Sequence, residues 1–296
     1  MRLYDYETFD LMWAEAVHAL TDVESTRPSR DGDVCGEVAG YSARLLDVDD
    51  NWLWSPTRKA SATYAAAELL WYLSGTGNGE MIKFYAPQYE RFLVDGVARG
   101  AYGARWGRWN QLRNLLDLLR RDLTTRQAVM VAWEARDLAV AVAGNEPDVP
   151  CTVSLQFLYR GQLNLVATMR SNDVWLGMPY DVWCFTSIQK LVAHALGVKP
   201  GWYQHQAGSL HLYARDRERA IARVTRAPEL PPPRRYDLWP VDLSKAIEEA
   251  VHKESAARLE SCTPVTVKGN LLDECVALCA GKAGVERPAW LREDLR

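Results

Sequence analysis

The sequence predicts an α+β fold. Runs with helical spacing and runs with strand-like alternation are interspersed along one chain, two of the strand-like runs meet at a tight turn, and the C-terminal part reads as helix alone. With 296 residues, 48% of them hydrophobic, the chain is long enough for one large core, and no internal repeat divides it. The expectation is a single domain over residues 1–296, with 236–296 a helical C-terminal segment.

The elements follow in order. Residues 8–20 place apolar side chains at helical spacing, and a polar loop runs from Ser25 to Gly36. Short strand-like runs surround Tyr41 and Trp52. The Ala- and Leu-rich stretch Thr57–Leu73 ends at Ser74-Gly75, a helix with a glycine stop, and a polar turn covers Gly75–Gly79. Residues 111–123 form an amphipathic helix, and Ala128–Trp133 reads as a buried strand. Residues 152–160 and 162–170 are two strands around Arg160-Gly161, a hairpin. Residues 182–196 are helical, with Ile188, Leu191, Val192, Ala195 and Leu196 on one stripe, and 202–213 are strand-like. Pro228–Pro233 reads as a linker. Beyond it, 242–260 and 271–280 are helical.

Composition excludes several classes. The formal charge of −3 argues against a binder of polymeric nucleic acid. No run of about 18 apolar residues exists for a membrane span, and the N-terminal MRLYDYETFD has acids where a signal peptide needs bases and lacks its apolar run. A cytoplasmic location is expected, with the six cysteines reduced. Cys275 and Cys279 share a helix face, but no CxxC pair or matching histidine accompanies them, so no metal site is expected. The arginine clusters, Arg105 to Arg126 and Arg215 to Arg226, are interleaved with acids and apolar residues; most read as solvated helix faces, with a few available to a small anionic ligand.

The chemistry concentrates between Val149 and Tyr213. Cys151 follows Pro150 just before a strand; by itself such a cysteine is more often a packing residue than a nucleophile. Downstream come Arg170-Ser171-Asn172-Asp173, then Leu176-Gly177-Met178-Pro179-Tyr180-Asp181, then His211-Leu212-Tyr213. This order, Pro-Cys, RSNDVWLGMPYD and HLY, resembles the nucleotide-binding signature of the thymidylate synthases. Glu68-Leu69-Leu70-Trp71-Tyr72-Leu73-Ser74-Gly75 is similar to that family's ELLWFLxG, and Tyr102-Gly103, Arg126 and Ala132-Trp133 fall in matching order. The likeness spans roughly residues 8–233.

The resemblance implies a thymidylate synthase-like fold: a large mixed β-sheet with flanking helices, the sheets of two subunits packed face to face in a homodimer. It implies Cys151 as the covalent nucleophile, with Glu68 and Tyr102 in the catalytic set. It implies Arg30, Arg126, Arg170, Ser171, Asn172, His211 and Tyr213 around a nucleotide, Arg126 reaching over from the partner subunit. Asp173, Gly177, Tyr180 and Arg58 would face the co-substrate, 5,10-methylenetetrahydrofolate. The chain departs from the pattern at Gln127, where the family has a second arginine, at Thr152, where it usually has histidine, at Asp148, and throughout 236–296.

Physical reasons stand beside the likeness. A thiolate adding at C6 of a pyrimidine turns C5 into a nucleophile, and its formation requires a lowered thiol pKa. Arg170 is placed to favour it while binding a phosphate, the alternative being a surface arginine. Glu68 has Tyr64, Ala65, Trp71 and Tyr72 on its helix face, an apolar setting that raises a carboxyl pKa and suits proton transfer; the alternative is a surface glutamate. Alternation puts His211 and Tyr213 on one strand face.

Asp181 stands where thymidylate synthases have asparagine. A carboxylate accepts from the N4 amino group of cytosine, whereas it sets oxygen against O4 of uracil. Unpaired buried polar groups of this kind separate substrates by roughly 10⁴-fold. With Asn172, this makes the chain similar to the deoxycytidylate hydroxymethylases and the cytidylate hydroxymethylase of nucleoside-antibiotic pathways, and implies CMP or dCMP as substrate. Asp181 as a plain N-cap of the helix 182–196 is the alternative. The same likeness implies a hydroxymethyl product, a C5 methylase being the nearest alternative; from the residues alone, methyl against hydroxymethyl and ribose against deoxyribose stay open. So do two other classes: a cysteine hydrolase built on Cys151 and His211, and a nucleotide-binding protein without activity.

Overall fold

Leu155, Phe157, Leu163, Leu165 and Ala167 are fully buried, and the residues between them are mostly half-buried. That two-residue period defines a pair of strands. The computed structural model describes residues 4–22, 27–29, 32–55, 58–144, 146–224, 233, 235–236 and 242–291. In chain order they form β1 (Tyr4–Tyr6), α1 (Phe9–Thr21), β2 (Val34–Leu45), α2 (Ala62–Leu73), α3 (Glu80–Tyr85), α4 (Tyr102–Arg108), α5 (Gln111–Arg121), β3 (Val129–Val131) and α6 (Arg136–Ala143). Then come β4 (Thr152–Tyr159), β5 (Leu163–Met169), β6 (Asn172–Asp173), α7 (Met178–Ala195), β7 (Pro200–Tyr213), α8 (Arg217–Val224), α9 (Leu243–Glu260) and α10 (Leu271–Lys282). This is the expected α+β class, with a large mixed sheet and flanking helices.

Two units divide the chain. The first draws on residues 1–60, 151–189 and 199–234. Its strands run in the order β1-β2-β7-β5-β4, with β6 added to β7. β1 is parallel to β2, β2 antiparallel to β7, β7 parallel to β5 and to β6, and β5 antiparallel to β4. β4 and β5 are joined by the expected hairpin, with Gly161 at φ +81° supplying the turn conformation that a side chain disfavours. α1 opens on Thr8, whose hydroxyl accepts from the N–H of Leu11. It packs its Trp13 against Trp175 and donates the Trp13 indole N–H to the Val174 carbonyl at 2.6 Å. A Cβ on Gly36 would lie 2.1 Å from the Leu20 carbonyl oxygen, so only glycine lets the end of α1 sit so near β2.

The second unit draws on residues 61–150, 190–198 and 235–296. α2 is buried from Ala65 to Tyr72, and α10 has nearly all its residues from Leu271 to Ala280 buried; the two pack together, with α9 against both. The side chain of Glu254 on α9 is wholly buried, accepting from the Tyr85 hydroxyl and from Arg258 Nε, each at 2.7 Å. The expected C-terminal helices are therefore present, and they pack on the helix that carries Glu68.

Several expectations need correction. The run around Trp52 is not a strand: it is a loop, with Trp52 buried edge-on against Trp183 at 6.2 Å. α2 starts at Ala62, because the Ser61 hydroxyl caps the N–H of Tyr64; residues 58–60 are not helical, and Thr57 lies outside the described residues. β3 covers only Val129–Val131, and Val129 and Val131 are exposed, with Met130 alone turned inward. α7 begins at Met178 rather than at residue 182. The linker Pro228–Pro233 lies outside the described residues except for Pro233.

Candidate active site

Cys151 sits at the open end of the β4–β5 hairpin, half-buried, immediately before β4. Its carbonyl accepts the backbone N–H of Arg170 at 2.8 Å, and the Arg170 carbonyl accepts from Ser209 N–H on β7 at 3.2 Å. The thiol-bearing residue and the arginine are thus held side by side by main-chain bonds. The Arg170 side chain is exposed.

Downstream of β6, a group forms around Asp173. Its Oδ1 accepts from Trp175 N–H at 2.8 Å and Leu176 N–H at 3.0 Å. Burial raises the pKa of this carboxyl, while those two N–H groups and His211 pull it down and Asp216 adds to the rise. The Gly177 N–H bonds to the Asp173 carbonyl, and Tyr180 N–H to the Gly177 carbonyl. Arg58 is buried; it donates Nε–H to the Trp175 carbonyl at 2.7 Å and lies 5.4 Å from the centre of the Tyr180 ring. The four residues expected to face a folate, Arg58, Asp173, Gly177 and Tyr180, are therefore neighbours.

Asp181 is buried in the first turn of α7, where its N–H is already bonded to the Gly177 carbonyl at 3.0 Å. Because the helix begins at Met178, Asp181 is not its N-cap, and that alternative is removed. Its Oδ2 accepts from Asn172 Nδ2 at 2.7 Å. Asn172 Oδ1 in turn meets His205 Nε2 at 2.9 Å, and His205 Nδ1 meets the Tyr203 hydroxyl at 2.7 Å. A Cβ on Gly177 would stand 3.1 Å from Asn172 Nδ2 and 3.3 Å from Asp181 Oδ2, so the glycine leaves room for that pair.

His211 and Tyr213 share a face of β7 as expected, their rings 5.1 Å apart and edge-to-face. The Ser171 hydroxyl lies 3.5 Å from His211 Nδ1. Arg30 lies outside the described residues.

In the second unit, Glu68 is buried on α2 and accepts the Tyr64 hydroxyl at 2.9 Å. One turn on, the Tyr72 ring lies 5.1 Å from that of Tyr102, which is half-buried at the start of α4. Arg126 and Gln127 are exposed. Cys275 and Cys279 are buried within α10, and among the described residues no cluster of metal-ligating side chains occurs.

The family model described as thymidylate synthase matches residues 12–246. The chain belongs to the thymidylate synthase family. Membership supports, at the coarse level, an enzyme that transfers a one-carbon unit to C5 of a pyrimidine, in a family that generally uses methylenetetrahydrofolate as co-substrate. Among the described residues, no helix is long and apolar enough to cross a membrane.

Two residues of the hydrogen-bonded group behind Asp181, Tyr203 and His205, are not singled out by the sequence reading. The alternation that pairs His211 with Tyr213 extends back to both of them. The cross-strand neighbours of His205 are Ala43 on β2 and Ala167 on β5, small enough to leave space for a buried imidazole. That pattern was legible; its contact with Asn172 was not, because it depends on where β6 docks.

Proposed function

We propose that the protein is a cytidine monophosphate 5-hydroxymethyltransferase, acting on CMP, dCMP or both. Cys151 is the nucleophile and Asp181 the reader of the base. The observation that carries the reading is the state of Asp181. Its N–H is used inside α7 and its Oδ2 receives an amide N–H, so that oxygen is held as an acceptor and the carboxyl group is fixed in orientation. The amino edge of cytosine matches such a group, and the O4 of uracil does not.

In this reading the Cys151 thiolate bonds to C6 of the ring, and the electrons of the C5–C6 double bond make C5 nucleophilic. Methylenetetrahydrofolate, when bound, supplies the one-carbon unit that C5 takes up. The chemistry of the residues assigned to it supports this: Asp173 has a carboxylate to offer an N–H edge, and Tyr180, with Arg58 5.4 Å from its ring centre, has an aromatic surface to offer. Glu68, oriented by Tyr64, takes the C5 proton, with Tyr102 assisting. With the C5 proton gone and tetrahydrofolate released as the leaving amine, a methylene remains on C5; water adds to it, and the thiolate departs as the ring double bond re-forms. Arg170 and Arg126 bind the phosphate with Arg30, and Ser171, Asn172, His211 and Tyr213 hold the sugar and base. The protein acts as a homodimer in which Arg126 comes from the partner.

The test is to incubate the protein with methylenetetrahydrofolate and, separately, CMP, dCMP, UMP and dUMP, and to weigh the products. A cytosine nucleotide heavier by one CH2O unit is expected. A product heavier by CH2, with dihydrofolate formed, identifies a methylase; no product from either cytosine nucleotide rejects the reading.

A further inference from the structure

Three side chains stand in line behind Asp181, and the direction of every hydrogen bond among them follows from the first. A carboxylate only accepts, so Asn172 Nδ2 donates to Asp181 Oδ2. The other end of the amide, Oδ1, is then an acceptor, and His205 Nε2 must carry the hydrogen that meets it. His205 is wholly enclosed, and burial pushes its pKa down to about 3, so the ring is neutral and its Nδ1 is bare. The Tyr203 hydroxyl, whose pKa burial raises well above the usual phenol range, donates to that nitrogen. The edge of the Tyr41 ring closes the side of His205 at 6.4 Å.

The opposite polarity has a definite requirement. Asp181 would have to carry a proton on Oδ2, the amide would flip, and His205 would take its other tautomer and donate to the Tyr203 oxygen. The Tyr203 hydrogen would then be stranded, because among the described residues its hydroxyl has no other hydrogen-bond partner and the residue is wholly buried. One end of the chain therefore sets the polarity of the other.

We infer that Tyr203, His205 and Asn172 are positioning residues that hold Asp181 Oδ2 as a hydrogen-bond acceptor and fix the orientation of the carboxyl group, and thereby make the site select the amino edge of cytosine over the carbonyl edge of uracil. None of the three has to touch C4 of the base; they act through Asp181. The inference rests on the cytidylate reading above and adds the source of its specificity.

The experiment measures kcat/KM for cytosine and uracil nucleotides in the wild type and in Tyr203→Phe, His205→Phe, His205→Gln and Asp181→Asn, with thermal melting of each. Tyr203→Phe keeps the ring and loses only the O–H; the cytosine-to-uracil ratio falls about tenfold. His205→Phe lowers the ratio by about 10²-fold, and His205→Gln, whose amide can again donate to Asn172 Oδ1, restores most of it. A packing role alone would change melting and overall rate but leave the ratio where it was. Should His205→Phe fail to fold, Tyr203→Phe decides. An unchanged ratio in Tyr203→Phe and in folded His205→Phe, with the ratio lost in Asp181→Asn, overturns the relay and leaves the cytidylate reading standing. No cytosine preference in the wild type overturns both.

Discussion

The backbone N–H of Arg170 lies 2.8 Å from the carbonyl of Cys151, so the exposed guanidinium and the half-buried thiol grow from adjacent, hydrogen-bonded strand ends. Main-chain geometry thus sets side by side the two residues that the proposed function assigns to the nucleophile and to the phosphate.

Cys151 is predicted to be indispensable for turnover and dispensable for binding. Cys151→Ser reduces kcat by at least about 10³-fold, since a hydroxyl is a far poorer nucleophile at neutral pH. Nucleotide affinity by calorimetry stays within a few-fold of wild type.

Asp181→Asn exchanges an acceptor for an amide that can offer both a donor and an acceptor. The variant loses cytosine turnover by about 10²-fold or more and gains measurable turnover of a uracil nucleotide. Steady-state kinetics on both bases, at equal folate, checks the exchange.

Gly103 lets α4 approach α2: a Cβ there would stand 2.5 Å from the Tyr72 carbonyl oxygen and 2.8 Å from that of Trp71. Gly103→Ala must push the two helices apart, at a cost of about 2 kcal/mol in a chemical-denaturation experiment. Because Tyr102 is the neighbouring residue and its ring rests on Tyr72, activity falls with it.

Asp50 gives a pH dependence of defined sign. It is buried, its Oδ1 has no hydrogen-bond partner among the described residues, and burial followed by the charges of Asp10 and Asp47 raises its pKa to about 6. Between the unfolded value of about 4 and that folded value, the native state holds the proton and the unfolded chain has lost it. Asp50 therefore lowers stability as pH rises through this window. Asp50→Asn is predicted to raise stability at pH near 7 by about 1–2 kcal/mol and to lose that gain near pH 4. His205 runs the other way: its depressed pKa makes the native state lose stability as pH falls below about 6.5 towards 3. Urea melts across pH, with and without each substitution, separate the two slopes.

What was legible in the sequence was what short-range spacing encodes. α5 buries Leu115, Leu116 and Leu119 on one stripe, and the hairpin of β4 and β5 turns where Gly161 takes positive φ. Trp52 misled because a run of large apolar residues also describes a buried loop, and Ala128–Trp133 misled because Val129 and Val131 are apolar yet exposed. Short helices such as α4 and α6 complete too few turns to display a periodicity. At the site, Cys151, Asp173 and Asp181 were legible through the likeness of their motifs to the thymidylate synthase pattern, not from any one residue alone. The start of α7 at Met178, which removes Asp181 from the cap, depends on the Gly177 turn and was not encoded in apolar spacing. The His205–Asn172 bond joins β7 to β6 across a sheet register that no local window contains.

The most direct test of the whole account is to trap the covalent step. A cytidine monophosphate with fluorine at C5 has no proton there to give up, so the reaction stops with the base attached to the enzyme. Incubated with that nucleotide and methylenetetrahydrofolate, the denatured protein should gain the mass of both, on the peptide that bears Cys151. No added mass, or an adduct on any other cysteine, would contradict the assignment of Cys151 as the nucleophile.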